Sequence, residues 1–359
     1  MLCRLERVRR KPPVSEPVRI VGPEAWRQNF KLSSNPLILC SAGARGDAGG
    51  QFLRWVRSMA EQVTVVTKEP GEPDFEAVDR IAGQLGAETT EIVALGGGSC
   101  IDLAKAVSAQ VSSGRDLREV ELSGSAFESH IPVTAVPSTC GSGSEATSYL
   151  VLNNRQTGRK STLAHPTLLP RRRVLDPNLL LSQPNNVLLD SAFDAFSHLL
   201  EACLKPQKSG TLLPQEKFIA ESLSTLPLLV TGDRKPSLLE RLMMVAEAGG
   251  QAIEARRTGL IHTLSVAFAP LVSISHGALN RLLTPHVLRF NVRHYEGALA
   301  DLLTRNSQLR FRSDRKACDF LVAWCSSVVP PGEELPRLSL NEEQIDGVLD
   351  RVMQDSGLQ

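Results

Sequence analysis

Several features that mark whole classes of protein are missing from this sequence of 359 residues. The longest apolar stretch, residues 320–330, is interrupted by Trp324 and two serines and falls short of the ~18 residues that a membrane span needs. Lysine and arginine total 40 against 39 acidic residues, so a net charge of +1 supplies no general attraction to nucleic acid or to a membrane surface. We therefore expect a protein that binds neither.

The seven cysteines lack the pattern of a disulfide framework or of a cysteine zinc site, because their number is odd and no C-x-x-C pair occurs. This favours a reducing compartment, and we expect a cytoplasmic protein. Residues 1–13 are basic but contain no apolar segment of a secretory signal, so a solvated leader is preferred to a transit peptide. Aromatic residues make up only 4%, and the core must therefore consist mainly of Leu, Val, Ile and Ala.

The pattern of what is present divides the chain in two. Up to about residue 178, short apolar runs at 18–21, 36–40, 63–66, 92–95 and 133–136 alternate with amphipathic segments at 50–62, 74–85 and 102–111. Alternation of this kind predicts βαβ units, with a parallel sheet covered by helices on both faces. Residues 168–176 have the composition of a connector.

Beyond this point helical periodicity dominates, at residues 185–204, 215–229, 237–255 and 341–355. We predict an α/β domain over residues 1–178 and an all-helical domain over residues 179–359. A cleft between two such domains is a common place for a ligand site.

Two glycine-rich turns follow predicted strands. Residues 96–99 are Gly-Gly-Gly-Ser and open a helical segment, so bare backbone amides at a helix N-terminus could hold a phosphate or pyrophosphate. Residues 137–147, with the sequence PSTCGSGSEAT, offer hydroxyls and amides after the next strand. Either turn alone is equally compatible with a tight turn without a ligand, and neither is the G-x-G-x-x-G fingerprint. Two of them in succession favour a nucleotide, because α/β sheets bind nucleotides at strand C-termini.

Four residues form a candidate metal site. Asp194 and His198 are four residues apart in a predicted helix, so both project from one face. His262 and His276 follow in the second half. One carboxylate with three imidazoles suits Fe(II), Zn(II) or a similar ion. From spacing alone, a D-x-x-x-H pair on a helix surface explains the first two residues equally well.

Together these motifs resemble the iron-containing (group III) alcohol dehydrogenases, which have a dehydroquinate-synthase-like fold. The resemblance covers about residues 17–295. It rests on Gly96-Gly-Gly-Ser-x-x-Asp102-x-Ala-Lys105, on Pro137-Ser-Thr-x-Gly-Ser-Gly-Ser-Glu145-x-Thr147, on Asp194-Ala-Phe-Ser-His198, on His262 and His276-Gly277 at a 14-residue interval, and on Pro285-His286-Val-Leu-Arg-Phe-Asn291.

The resemblance implies a Rossmann-like N-terminal domain that binds NADH or NADPH and a helical C-terminal domain that holds the metal. It implies hydride transfer to a small aldehyde polarised by that metal. The implied metal ligands are Asp194, His198, His262 and His276. The implied cofactor-binding residues are Ser41, Gly97, Gly98, Ser99, Asp102, Ser138, Thr139, Ser142 and Lys160, although Lys160 could equally be a surface lysine. We expect a homo-oligomer, namely a dimer.

Three positions depart from the family pattern. Val266 stands where many members have a further histidine, so the transferred proton must come from water, from a cofactor hydroxyl or from Ser265. Ser41 stands where NAD-preferring members have an aspartate, and with Arg45 nearby this gives a slight preference for NADPH. Glu72 replaces a usual Asn-Pro pair, which puts that cofactor contact in doubt.

The substrate is the least determined feature. Arg257 precedes the third metal ligand in a segment similar to the phosphonoacetaldehyde reductase branch, and residues 171–173 are three arginines. Arginine pairs recognise phosphonate or carboxylate, but exposed arginines are often merely solvated. The alternatives to a reductase are a dehydroquinate-synthase-like cyclase that uses NAD catalytically and a degenerate member that only binds nucleotide.

Overall fold

The computed structural model describes residues 17–86, 88–124, 127–205, 212–330 and 340–354, so the basic leader at residues 1–13 lies outside the described residues. The strands are β1 (Val18–Val21), β2 (Pro36–Ser41), β3 (Thr64–Lys68), β4 (Glu91–Gly96), β5 (Val133–Pro137), β6 (Tyr149–Asn154), β7 (Arg159–Ala164) and β8 (Arg172–Leu175). The helices are α1 (Trp26–Asn29), α2 (Asp47–Met59), α3 (Phe75–Ala82), α4 (Gly98–Ser113), α5 (Leu117–Ser123), α6 (Asn185–Leu204), α7 (Phe218–Val230), α8 (Pro236–Arg256), α9 (Leu260–Phe268), α10 (His276–Asn291), α11 (Ala298–Asn306), α12 (Asp314–Ser327) and α13 (Glu342–Gln354).

A six-stranded parallel sheet forms the N-terminal half, in the order β1-β8-β5-β4-β2-β3. Both of its faces are buried, because alternate residues of one strand enter different cores: in β2, Leu37 and Leu39 belong to one cluster, and Ile38 and Cys40 to the other. The second cluster also gathers four of the scarce aromatic side chains, Trp26, Phe30, Phe52 and Trp55. The predicted α/β half and its five strands are confirmed.

The prediction that residues 168–176 form a connector is wrong. Residues 172–175 of this segment form β8, which lies inside the sheet and pairs with both β1 and β5. Its arginines hide the strand from a hydropathy pattern, because their charges are neutralised locally: Arg172 pairs with Glu91, and Arg173 Nη1 lies 3.0 Å from Oε1 of buried Glu247. These two arginines are therefore committed to structural ion pairs.

An antiparallel hairpin of β6 and β7 follows the second glycine-rich turn. The sequence analysis did not predict it: β6 begins with the short apolar run YLVL, but β7, with the sequence RKSTLA, is largely polar. The hairpin packs against α4 and carries Lys160 on its second strand.

The C-terminal half is helical, and α6 spans residues 185–204 as predicted. Its core includes Phe193, Phe196 and Trp324 in mutual ring contact. Among the described residues, no helix has the length and apolarity to cross a membrane, and the six described cysteines are free thiols.

The two halves meet through glycines. Gly143, in the second turn at φ +63°, packs on the backbone of Gly250 in α8, and a Cβ on Gly143 would lie 2.5 Å from the Gly250 nitrogen. Gly141 packs similarly on α6, where its Cβ would lie 2.7 Å from the carbonyl oxygen of Ser191. Side chains at these positions would push the halves apart.

We expect Gly250→Ala to destabilise the protein although alanine is the better helix former. Its Cβ would lie 2.9 Å from Cα of Gly143, and overpacking of this kind costs about 1–3 kcal/mol. The control is Gly347→Ala in α13, where a Cβ meets nothing within 4 Å and about 0.5–1 kcal/mol of stabilisation is expected. Denaturant unfolding measures both, and a stabilised Gly250→Ala protein would contradict the close contact.

Candidate metal and cofactor site

The two glycine-rich turns lie side by side at the C-terminal edge of the sheet. Ser138 donates its backbone N–H to the carbonyl of Gly96 at 3.0 Å. A Cβ on Gly97 would lie 3.0 Å from Oγ1 of Thr139, and one on Gly98 would lie 2.6 Å from Cβ of Ser142. Gly98 begins α4 without a side-chain cap, so the first amides of this helix remain available to an anion. Glycine is thus required in the first turn so that the second can approach it.

Ser99 and Ser142 are half-buried at this edge. Ser41 ends β2 next to the first turn, since a Cβ on Gly96 would lie 2.9 Å from its Oγ. Arg45 is exposed and donates to Oγ1 of Thr67, whose strand pairs with β2. The sheet therefore brings Ser41 and Arg45 to the edge that carries the glycine turns.

Asp102 uses both carboxylate oxygens within the protein. Its Oδ1 accepts from the Ser144 hydroxyl, and its Oδ2 accepts from the backbone N–H of Val151 at 3.1 Å. It thus ties α4 to the second turn and to β6. On β7, Nζ of Lys160 lies 3.6 Å from the carboxylate of Glu72, so the two side chains form an ion pair.

The four predicted metal-ligating residues converge on one carboxylate oxygen. Oδ1 of Asp194 lies 3.8 Å from Nε2 of His198, 3.3 Å from Nε2 of His262 and 3.7 Å from Nε2 of His276. Asp194 and His198 come from one face of α6, His262 from α9, and His276 from the first residue of α10. Ligand atoms of Asp194, His262 and His276 all lie within 4.8 Å of one another, and the His198 ring stacks on that of His262.

Burial and neighbouring charges set the protonation states of this cluster. Burial opposes ionisation of Asp194, but His198 and the hydrogen bond with His262 hold the pKa of its carboxyl well below the usual range. Burial lowers the pKa of His198 to about 4 and that of His276 to about 3. A carboxylate and neutral imidazoles are the forms in which these side chains bind metals.

Three further side chains orient these residues, and the sequence analysis assigned none of them this role. Oε2 of Glu201 lies 2.6 Å from Nδ1 of His262, and the same carboxylate accepts from the N–H groups of Gly259 and Ile261. The three contacts fix the start of α9. Although burial opposes it, hydrogen bonds to Asp194 and Glu201 raise the pKa of His262 to about 9. The only signal in the sequence was the position of Glu201, seven residues after Asp194 on the same helix.

The other two orienting residues are Asn280 and Ser265. Asn280 donates to Oδ1 of Asp194 at 2.7 Å, and the Ser265 hydroxyl lies 2.8 Å from Nδ1 of His276. Ser265 is fully buried, so its hydroxyl serves the ligand ring. The adjacent Val266 is 41% exposed, and its side chain has no ionisable group.

Arg257 lies between α8 and α9, five residues before His262. It is exposed and has a φ of +56°. The phenol of Tyr149 is within electrostatic range of both Asp194 and Arg257; burial raises its pKa, and Arg257 opposes that shift. Arg257 thus lies in the segment between α8 and α9 that leads to His262.

Models of one protein family match both halves of the chain. The model of the family "Iron-containing alcohol dehydrogenase" matches residues 20–177, and that of the "Fe-containing alcohol dehydrogenase family, C-terminal" matches residues 188–359. An alcohol dehydrogenase of Thermococcus barophilus is 32% identical over 68% of this chain and 65% of its own length. The probable alcohol dehydrogenase EutG of Salmonella typhimurium is 29% identical over 72% of this chain and 73% of its own.

The fold is also that of solved relatives. A sulfoacetaldehyde reductase from Bifidobacterium kashiwanohense, crystallised with NAD+, superposes with a TM-score of 0.82 at 23% identity and covers 95% of this chain and 92% of its own. Both halves of the chain thus match the same family, in the order and over the residues that hold the glycine turns and the Asp–His cluster. The chain belongs to the iron-containing alcohol dehydrogenase family.

Proposed function

We propose that this oxidoreductase is a metal-dependent, NAD(P)H-linked aldehyde reductase and alcohol dehydrogenase. The observation that carries the proposal is the convergence of three buried or half-buried imidazoles on one oxygen of Asp194, in a chain whose sheet edge presents two glycine turns. Family membership supports the reaction class. The comparisons with alcohol dehydrogenases do not favour the cyclase alternative.

The residues fit a divalent metal. Nε2 of each of the three histidines lies within 3.8 Å of Oδ1 of Asp194, and the donor set of one carboxylate and three imidazole nitrogens suits Fe(II) or Zn(II). Asp194, His198, His262 and His276 would hold the ion. Once bound, the metal supplies positive charge that polarises a carbonyl, and the nicotinamide supplies or accepts hydride.

The chain's own residues then keep the site ordered. Glu201 orients the ring of His262, Ser265 orients the ring of His276, and Asn280 orients the carboxylate of Asp194. Metal ligands in proteins are commonly held in place by hydrogen bonds of this kind. Since Ser265 is buried and engaged, we assign the proton exchanged with product to water or to a cofactor hydroxyl. The homodimer and the cytoplasmic location stay predictions.

The metal assignment predicts that His276→Ala loses bound metal. The ring of His276 supplies one of three nitrogens, and its removal should lower metal retention at least tenfold, with loss of turnover. The matched control is His286→Ala, which alters an exposed histidine on the same helix, α10. Metal analysis after anaerobic loading with Fe(II) or Zn(II) and gel filtration measures both. Full activity in metal-free protein would refute the mechanism.

For the cofactor we propose a preference for NADPH over NADH. Ser41 places no carboxylate at the sheet edge to repel a 2′-phosphate, and the guanidinium of Arg45 lies close by on Thr67. A charge-assisted contact from Arg45 is worth ~1.5–3 kcal/mol, or about ten- to a hundredfold in affinity.

Two substitutions test this preference in the same direction. Ser41→Asp should reduce kcat/KM with NADPH much more than with NADH, because a carboxylate repels phosphate and accepts from a 2′-hydroxyl. Arg45→Ala should weaken the binding of NADPH by about tenfold and leave the binding of NADH unchanged. Initial rates with both cofactors provide the internal control. Equal effects on both would show that the adenosine ribose lies elsewhere.

For the substrate we propose a short anionic aldehyde, of which phosphonoacetaldehyde is an example. The support is the exposed side chain of Arg257, which lies in the segment that leads from α8 to His262. Residues Arg172 and Arg173 are not available for this role because both pair with carboxylates.

We expect Arg257→Ala to raise KM for an anionic aldehyde at least tenfold while leaving a neutral aldehyde of equal length nearly unchanged, because only the anion gains from the guanidinium. Arg256→Ala is the control, since Arg256 lies next to it in the chain but donates to the carbonyl of Ala202. A steady-state comparison of the two aldehydes decides. A neutral aldehyde preferred by the native protein would overturn the anionic assignment and leave the reductase proposal standing.

A further inference from the structure

Lys105 is a fully buried lysine on α4, one turn after Asp102. Its ammonium donates to Oγ of Ser144 at 3.0 Å, to the carbonyl and hydroxyl of Thr147 at 3.0 and 3.1 Å, and to the carbonyl of Tyr149 at 2.8 Å. All four acceptors belong to one stretch of chain, residues 144–149, which runs from the second glycine turn to the first residue of β6. A buried ammonium with three donors needs such partners, and here one segment provides them.

Asp102 completes this attachment from the same helix. It lies 3.6 Å from Nζ of Lys105 and accepts from Ser144 and from the backbone of Val151. The pair therefore holds residues 144–151 at both ends. Burial raises the pKa of Asp102 and lowers that of Lys105, whereas the attraction between the two charges opposes both shifts.

The opposite side of this stretch rests on the metal-bearing half. Gly141 and Gly143 contact the backbones of α6 and α8, and Ser148 donates its N–H to Glu254 of α8 at 2.9 Å. Residues 141–149 are thus a layer between α4, which follows the first glycine turn, and α6, which carries Asp194 and His198. Whatever fixes this layer on α4 also fixes the distance from the glycine turns to the Asp–His cluster.

We propose that Lys105 is a positioning residue that holds residues 141–149 on α4 and so sets the spacing between the cofactor turns and the metal ligands. The inference rests on the proposed function for its kinetic consequence, but the attachment itself does not. With no exposed surface, Lys105 acts through the segment and touches neither cofactor nor substrate. Its four acceptors include two backbone carbonyls, which no substitution in the segment removes.

The test compares Lys105→Met with Lys68→Met by hydrogen exchange and mass spectrometry. Methionine keeps most of the volume and removes the donors. Lys68 is also buried and also donates to backbone carbonyls, those of Glu69 and Gly71, and both of these acceptors lie outside residues 141–151. In Lys105→Met, amide exchange in residues 141–151 should rise at least tenfold, while peptides from α6 and α8 keep native rates. Lys68→Met should leave residues 141–151 unchanged.

Cofactor binding and turnover should change together with amide exchange. In Lys105→Met the dissociation constant of NADPH should rise at least tenfold, measured by its fluorescence without turnover, and kcat should fall as well. Should Lys105→Met fail to fold because Asp102 is left unpaired, the double variant Lys105→Met/Asp102→Asn removes that charge, and Asp102→Asn alone is its reference.

Native exchange and native cofactor affinity in a folded variant would overturn the proposal. A uniform rise in exchange across the whole chain would also overturn it, since that is the result of lost stability alone. Failure of the native protein to reduce any aldehyde would refute the proposed function instead, and the exchange pattern would still decide the role of Lys105.

Discussion

The burial of Asp194 is the constraint on which the rest of the site depends. A carboxylate taken out of water is strongly unfavourable unless positive charge and donors surround it. Here three histidines and the amide of Asn280 converge on its Oδ1. Since those groups come from α6, α9 and α10, the arrangement of three helices follows from the need to satisfy one oxygen, and the same arrangement creates a set of metal-ligand atoms.

The glycines between the two halves determine how closely the halves can pack. In the proposed function, a cofactor at the sheet edge would have to meet a substrate at the helical half, and hydride transfer would require the two halves to approach closely and reproducibly. Side chains at Gly98, Gly143 or Gly250 would separate the elements that they join. The polar pair of Lys105 and Asp102 acts on the same layer from the other side. The glycine contacts set how closely the two halves can approach, and the buried hydrogen bonds of Lys105 and Asp102 stabilise that arrangement.

Much of this organisation was predictable from the sequence, because it depends on local pattern. Alternating apolar runs predicted the parallel sheet, and the spacing of Asp194 and His198 placed both on one face of α6. Glu201 and Asn280 could not be assigned their roles, since contacts between separate helices leave no periodic signal. The strand β8 was missed because Arg172 and Arg173 are charged, and their charges are compensated only after folding brings Glu91 and Glu247 to them.

The backbone of Arg257 shows how fold and site constrain each other. A φ of +56° is unfavourable for a side chain other than glycine, at a cost of order 1 kcal/mol. It ends α8, where the N–H of Arg257 still bonds to the carbonyl of Ile253 at 2.7 Å. The chain must then reverse within two residues so that the amides of Gly259 and Ile261 reach Glu201. The strain is thus explained by the path that brings His262 to Asp194. That path accounts for the backbone, and a glycine would follow it at lower cost, so the guanidinium of Arg257 is the one feature of this position that the fold does not require.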